Sequence, residues 1–153
     1  MRIPNHIGVI PDGNRRWAQK KGLEKKDGYQ NGLEPGLLLY DACRKLGVKE
    51  ITYYGFTVDN TKRPSEQRLA FTQACVDAVE LLSKQDAELL VLGNTKSKMF
   101  PEKLLPYTQR QIFGQGGIKI NFLVNYSWQW DLGYEKGACQ HDMQSKDVSR
   151  VDL

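Results

Sequence analysis

The segment Asp12-Gly13-Asn14-Arg15-Arg16-Trp17 gathers a carboxylate, two guanidinium groups and two residue types that tolerate a tight backbone. Gly and Asn let backbone amides turn toward an anion, a helix start favours negative charge, and paired Arg side chains can fork onto phosphate oxygens. Asp12 would repel such an anion unless a cation lay between them, so its place among these donors suggests Mg2+ bridging the carboxylate and a diphosphate. A plain Asp-Gly turn, with Arg15 and Arg16 on a solvated helix start, is the structural alternative, and this segment by itself leaves both readings open. A second polar, basic segment, Thr57-Val58-Asp59-Asn60-Thr61-Lys62-Arg63-Pro64, also leads into a helical pattern. Alone it reads as a capping loop. Its Asp59, Asn60 and Arg63 gain meaning if the fold brings both segments to one edge of a sheet.

Both segments follow short apolar runs. His6-Ile7-Gly8-Val9-Ile10 reads as a buried strand stopped by Pro11-Asp12-Gly13-Asn14, and Ile51-Thr52-Tyr53-Tyr54-Gly55-Phe56 as a second, rich in β-branched and aromatic residues. Between them, Leu33, Leu37, Tyr40 and Cys43 keep helical spacing within 29–46, with Gly47 as the stop. Pro64 stands at the expected first helical position, and Leu69, Thr72, Val76, Val79 and Leu82 mark one face of a long helix. A strand at 88–92, a helix from Pro101 to just before Gly114 and a strand at 118–124 follow. Strands alternating with helices of this length require crossover connections, which predicts an α/β domain with a largely parallel central sheet flanked by helices. The stretch 133–150 is polar and weakly periodic and is expected to be poorly ordered, and Val151-Asp152-Leu153 resembles the start of another buried strand.

The 153 residues, 40% hydrophobic and 26% charged, suit one globular domain. Lys plus Arg number 22 against 18 Asp plus Glu, and the resulting +4 is too mild to imply nucleic acid, though it serves anionic small ligands. No apolar run approaches the roughly 18 residues of a membrane span, and no secretory signal opens the chain, so a cytoplasmic location is expected. Cys43, Cys75 and Cys139 are odd in number and widely spaced, which argues against a disulfide framework or zinc site and for buried thiols at Cys43 and Cys75. His6 reads as structural, and His141 and Asp142 as ordinary surface.

The string from His6 through Ala18, with Gly22 and Gly28 downstream, resembles the opening motif of the cis-prenyltransferases, the undecaprenyl diphosphate synthase family. Phe56-Thr57-Val58-Asp59-Asn60-Thr61-Lys62-Arg63-Pro64 is similar to that family's Phe-Ser-x-Glu-Asn-Trp-x-Arg-Pro, and Ile120 to Tyr126 to its strand ending in Asn-Tyr-Gly-Gly. Val151-Asp152-Leu153 is similar to the segment preceding its Arg-x-Gly-Gly-Glu motif. The resemblance implies an Mg2+-dependent enzyme that joins a homoallylic (isopentenyl) diphosphate to an allylic one, with a tunnel for the hydrocarbon between sheet and helices. It implies further that Asp12 holds the metal, that Gly13, Asn14, Arg15 and Arg16 hold the allylic diphosphate, and that Trp17 lines the start of the tunnel. Asn60 would lie near the reacting carbons and assist proton removal, and Arg63 would support the diphosphate site.

The departures carry information too. Lys25 and Tyr29 stand where the family has Arg and His, and Asp59 and Thr61 where it has Glu and Trp, which alters the substrate-binding positions that Thr57 introduces. Ser127-Trp128 replaces Gly-Gly and is expected to add bulk beside the pocket, so that Tyr29, Thr61 and Trp128 favour a short or branched product. The Asp-Gly-x-Arg-Arg-Trp start with Asp27-Gly28-Tyr29 is also similar to branching, lavandulyl-type synthases. The family's C-terminal motif, which binds the homoallylic diphosphate and helps form a homodimer, has no counterpart among these residues, so weak turnover and a weakened dimer are expected of the chain. A non-catalytic diphosphate-binding or partner subunit is the alternative reading.

Overall fold

The computed structural model describes residues 2–138. Five strands form one sheet in the order β1-β2-β5-β3-β4. They are β1 (His6–Val9), β2 (Glu50–Thr57), β3 (Ala87–Leu92), β4 (Gln111–Phe113) and β5 (Lys119–Tyr126). The first four neighbours in that order run parallel, and only β4 pairs antiparallel, on the edge beside β3. The helices are α1 (Asn14–Lys20), α2 (Asp27–Gln30), α3 (Leu33–Leu46), α4 (Ser65–Leu82) and α5 (Trp128–Ala138).

The amphipathic helix α3 turns Tyr40 and Cys43 inward, and the longer α4 buries Phe71, Cys75, Val79 and Leu82. Alternation along the strands puts Ile51, Tyr53, Ile120, Phe122 and Val124 on the face that meets these helices, with Tyr53 stacked on Phe122 at 5.7 Å between ring centroids. The opposite phase carries polar groups, which are buried and therefore must pair. Asn121 donates to Glu50 and Thr52 and accepts from Arg110, while His6 bonds to Thr52 at 2.8 Å, so His6 is structural as expected.

Three expectations need correction. The predicted helix from Pro101 to Gly114 is a short 3-10 helix, Glu102–Thr108, followed by β4. Pro106 lies inside it and removes an amide that a continuing α-helix would need, and the extended chain beyond pairs with β3 instead. The single helix expected within 29–46 is two, α2 and α3, and Pro64 caps α4 from outside its first turn. Helix α5 continues to Ala138, and the rest of the stretch 133–150 lies outside the described residues. Cys139, His141, Asp142 and Val151-Asp152-Leu153 lie outside the described residues. None of the described helices is long and apolar enough to cross a membrane.

Candidate functional site

Parallel strands end on the same edge of the sheet, so the loop after β1 and the loop after β2 come together at the carboxyl ends of two hydrogen-bonded neighbours. The first loop turns sharply at Gly13, whose φ of 91° lies in the left-handed region that a side chain disfavours. Its amide donates to Asp12 Oδ1 at 2.6 Å, and Arg16 Nη2 reaches Asp12 Oδ2 at 3.1 Å, with both side chains largely exposed. Gly28 brings α2 onto this loop. A Cβ there would lie 2.1 Å from the Asn14 carbonyl oxygen, so only glycine permits the close approach that sets Tyr29 beside the cleft.

The second loop is a 3-10 turn, Val58–Lys62, closed by a reciprocal cap: Asn60 Oδ1 accepts from the Thr57 amide at 2.9 Å, and the Thr57 side chain accepts from the Asn60 amide. The cap occupies the Asn60 carbonyl oxygen. Arg63 follows the turn and donates from Nη1 to the Tyr29 hydroxyl at 3.0 Å, which ties the two loops together.

Two connected spaces result. A polar cleft of ≈ 370 Å³ is lined by Asp12, Gly13, Asn14, Arg15, Arg16, Gln19, Lys25, Tyr29 and Arg63. Four cationic side chains thus face one carboxylate, a balance that favours a multiply charged anion. Behind it lies a mainly apolar cavity of ≈ 730 Å³ between the sheet and helices α3 and α4, lined by Leu37, Leu39, Tyr53, Phe56, Phe71, Ala78, Leu82 and Phe122 among others. Pro11, Asp12, Gly13, Asn14, Tyr29 and Arg63 line both spaces, so the cleft opens directly into the cavity. The Tyr53 hydroxyl crosses to α3 and donates to the Gly36 carbonyl at 3.1 Å, and burial raises its pKa. Cys75 also lines the cavity, where burial pushes its thiol up to about 12.

The structure brings together Asp12, Gly13, Asn14, Arg15, Arg16, Lys25, Tyr29 and Arg63 in the cleft, with Trp17, Thr57 and Asn60 on the cavity wall. Asp59 and Thr61 line neither space. Asp59 pairs with Lys62 at 2.8 Å in solvent, and the Thr61 hydroxyl donates to the Val58 carbonyl inside the turn. Trp128 is also absent from both walls: it opens α5 with 63% of its surface exposed, and the bulk expected beside the pocket points elsewhere. Sequence reasoning missed Gln19, the Tyr29 to Arg63 bond and the role of Gly28, since each depends on contacts between separate elements.

The α/β sheet thus carries at its carboxyl edge a cationic cleft continuous with a mainly apolar cavity. The prenyltransferase family model described as "Putative undecaprenyl diphosphate synthase" matches residues 10–151. The chain belongs to this prenyltransferase family. It is 29% identical over 162 residues to a ditrans,polycis-undecaprenyl-diphosphate synthase ((2E,6E)-farnesyl-diphosphate specific) of Vibrio vulnificus, covering 99% of this chain and 64% of that protein. An isoprenyl transferase of Chlorobaculum tepidum is 32% identical over 147 residues, covering 91% and 53%. Among solved structures, lavandulyl diphosphate synthase from Lavandula x intermedia, in complex with dimethylallyl diphosphate, shares the fold with a TM-score of 0.67 at 20% identity, covering 90% of this chain and 65% of that one. The chain thus spans less than two thirds of the length of each of these proteins.

Proposed function

We propose that this protein binds an allylic diphosphate, head in the polar cleft and hydrocarbon in the apolar cavity, and transfers the allylic group to a homoallylic diphosphate. The observation that carries the reading is the continuity of the two spaces through Asp12, Gly13, Asn14, Tyr29 and Arg63. Arg15, Arg16, Lys25 and Arg63 supply the positive charge for the head group, and the Asn14 amide adds a donor at the start of α1. In the reaction the allylic C–O bond breaks, a C–C bond forms to the alkene carbon of the second substrate, and a proton leaves. Negative charge grows on the departing diphosphate, where fixed cationic donors stabilise it most. Asn60, at the cavity wall, is the polar group proposed beside the reacting carbons.

The donor set also fits Mg2+. Asp12 is the one carboxylate lining the cleft, and no cluster of three or more metal-ligating side chains occurs among the described residues. That matches an ion shared between one carboxylate and substrate phosphates, not one caged by protein. When bound, Mg2+ would be held by Asp12 and would neutralise charge developing on the diphosphate.

A short or branched product belongs to the same proposal, supported by the modest cavity and by Tyr53 bridging β2 and α3 within its wall. So does residence in the cytosol. The test is calorimetry with geranyl diphosphate, geraniol and inorganic pyrophosphate, followed by a condensation assay with labelled isopentenyl diphosphate. Geranyl diphosphate should bind more tightly than either fragment, and product should form in Mg2+. Equal affinity for geranyl diphosphate and pyrophosphate would remove the cavity from the reading, and no affinity for either would end it.

A further inference from the structure

Tyr29 and Arg63 meet a third residue as well as each other. The Tyr29 ring stands edge-on to Phe71, with centroids 5.9 Å apart and planes at 74°, and the Arg63 guanidinium carbon lies 5.9 Å from the same centroid. With the 3.0 Å bond from Arg63 Nη1 to the Tyr29 oxygen, the contacts close a triangle. Phe71 is 4% exposed and fixed in the core of α4, so the triangle has a rigid base. Tyr29 and Arg63 line both spaces, which puts the triangle where a ligand's head would join its tail.

A guanidinium carries five N–H donors, so one bond to a phenol still leaves a fork for an anion. An unrestrained Arg must give up rotamer freedom when it grips a ligand, whereas one already held has made that sacrifice on folding. We propose that Tyr29 is a positioning residue: it acts on the ligand through Arg63, by holding the guanidinium over Phe71 at the junction of cleft and cavity. This inference rests on the reading of the cleft as a diphosphate site. The charged groups lining that site with Tyr29 are Asp12, Arg15, Arg16, Lys25 and Arg63. On α4, packed against α2, Asp77 accepts from Gln30 and Gln73, and Glu66 faces Lys26 at 4.0 Å.

The experiment is a double-mutant cycle read by calorimetry with geranyl diphosphate. Tyr29→Phe keeps the ring on Phe71 and should weaken binding about tenfold, the usual scale for losing a hydrogen bond to a charged group. In the Arg63→Met background the same change should have no further effect, whereas additive losses would overturn the proposal. Tyr29→His supplies a second readout. A neutral imidazole can accept from Arg63 and an imidazolium cannot, so affinity relative to the unmodified protein at each pH should recover at alkaline pH and fall as the ring protonates. Affinity that rises on protonation would mean that position 29 touches the anion directly and would overturn the proposal. If the unmodified protein binds neither geranyl diphosphate nor pyrophosphate, the diphosphate reading falls and takes this one with it. Binding by the unmodified protein that Tyr29→Phe leaves unchanged removes only the positioning role.

Discussion

Replacing Asp12 by Ala separates a turn former from a metal-linked carboxylate, because once Mg2+ is chelated the two roles predict effects of opposite sign. In the folded protein Asp12 accepts from the Gly13 amide and pairs with Arg16, whose side chain is 74% exposed against 81% for Asp12. Solvent screens such a pair, and its loss costs about 0–1 kcal/mol of stability. The protein should therefore fold normally. For binding, a carboxylate opposes a diphosphate charge by about 1 kcal/mol at 4 Å in bulk water and about 4 kcal/mol at an effective dielectric of 20. The exposure of the cleft's Asp12 places the effect toward the lower figure, roughly a fivefold change in affinity.

With Mg2+ chelated by EDTA, Asp12→Ala should bind geranyl diphosphate as tightly as the unmodified protein or about fivefold more tightly, since a repulsive charge is gone and Arg16 is released from its partner. With Mg2+ present the order should reverse, and the variant should lose about tenfold or more because the ion has lost its protein ligand. Calorimetry in both buffers gives the sign directly, and Asp12→Asn, which retains an acceptor for the Gly13 amide, controls for loosening of the turn. Equal losses with and without Mg2+ would refute the metal-linked role and leave Asp12 as a shaper of the loop.

Other consequences follow from single contacts. Gly28→Ala forces a methyl group against the Asn14 carbonyl, a backbone atom that no rotamer change can move, so denaturant unfolding should show a loss of about 1–3 kcal/mol together with weakened diphosphate binding. Tyr53→Leu removes the phenol that reaches Gly36, and mass analysis should find longer products or tighter binding of longer prenyl diphosphates, while Trp128→Gly, on the exposed start of α5, should leave length unchanged. The Cys75 thiol, raised from 9.0 to about 12 by burial, favours its neutral form in the folded state. Its contribution is therefore present below pH 9 and lost as pH climbs toward 12, and iodoacetamide with peptide mapping should label Cys75 at pH 8 only after unfolding.

The short apolar runs of β2 and β5, the periodic faces of α3 and α4 and the turn chemistry around Asp12-Gly13-Asn14 are local properties, and they sufficed to predict a parallel α/β sheet with polar loops at its carboxyl edge. The motif residues likewise carried the family resemblance, because their types and spacing are written in the chain itself. Local pattern failed at Glu102–Thr108 and β4, where a segment of mixed polarity could satisfy its backbone by helix or by sheet, and pairing with β3 decided the matter. It failed again at Asp59, Thr61 and Trp128, since membership in a motif says nothing about the direction of a side chain once a cap or a helix start has set the backbone. Only the tertiary structure places Arg63 on the hydroxyl of Tyr29, opens the cleft into the cavity and lays α2 against α1 through Gly28. The physical reason is that periodicity reports which face of an element leaves water, whereas the meeting of two faces depends on the packing of the remaining chain between them.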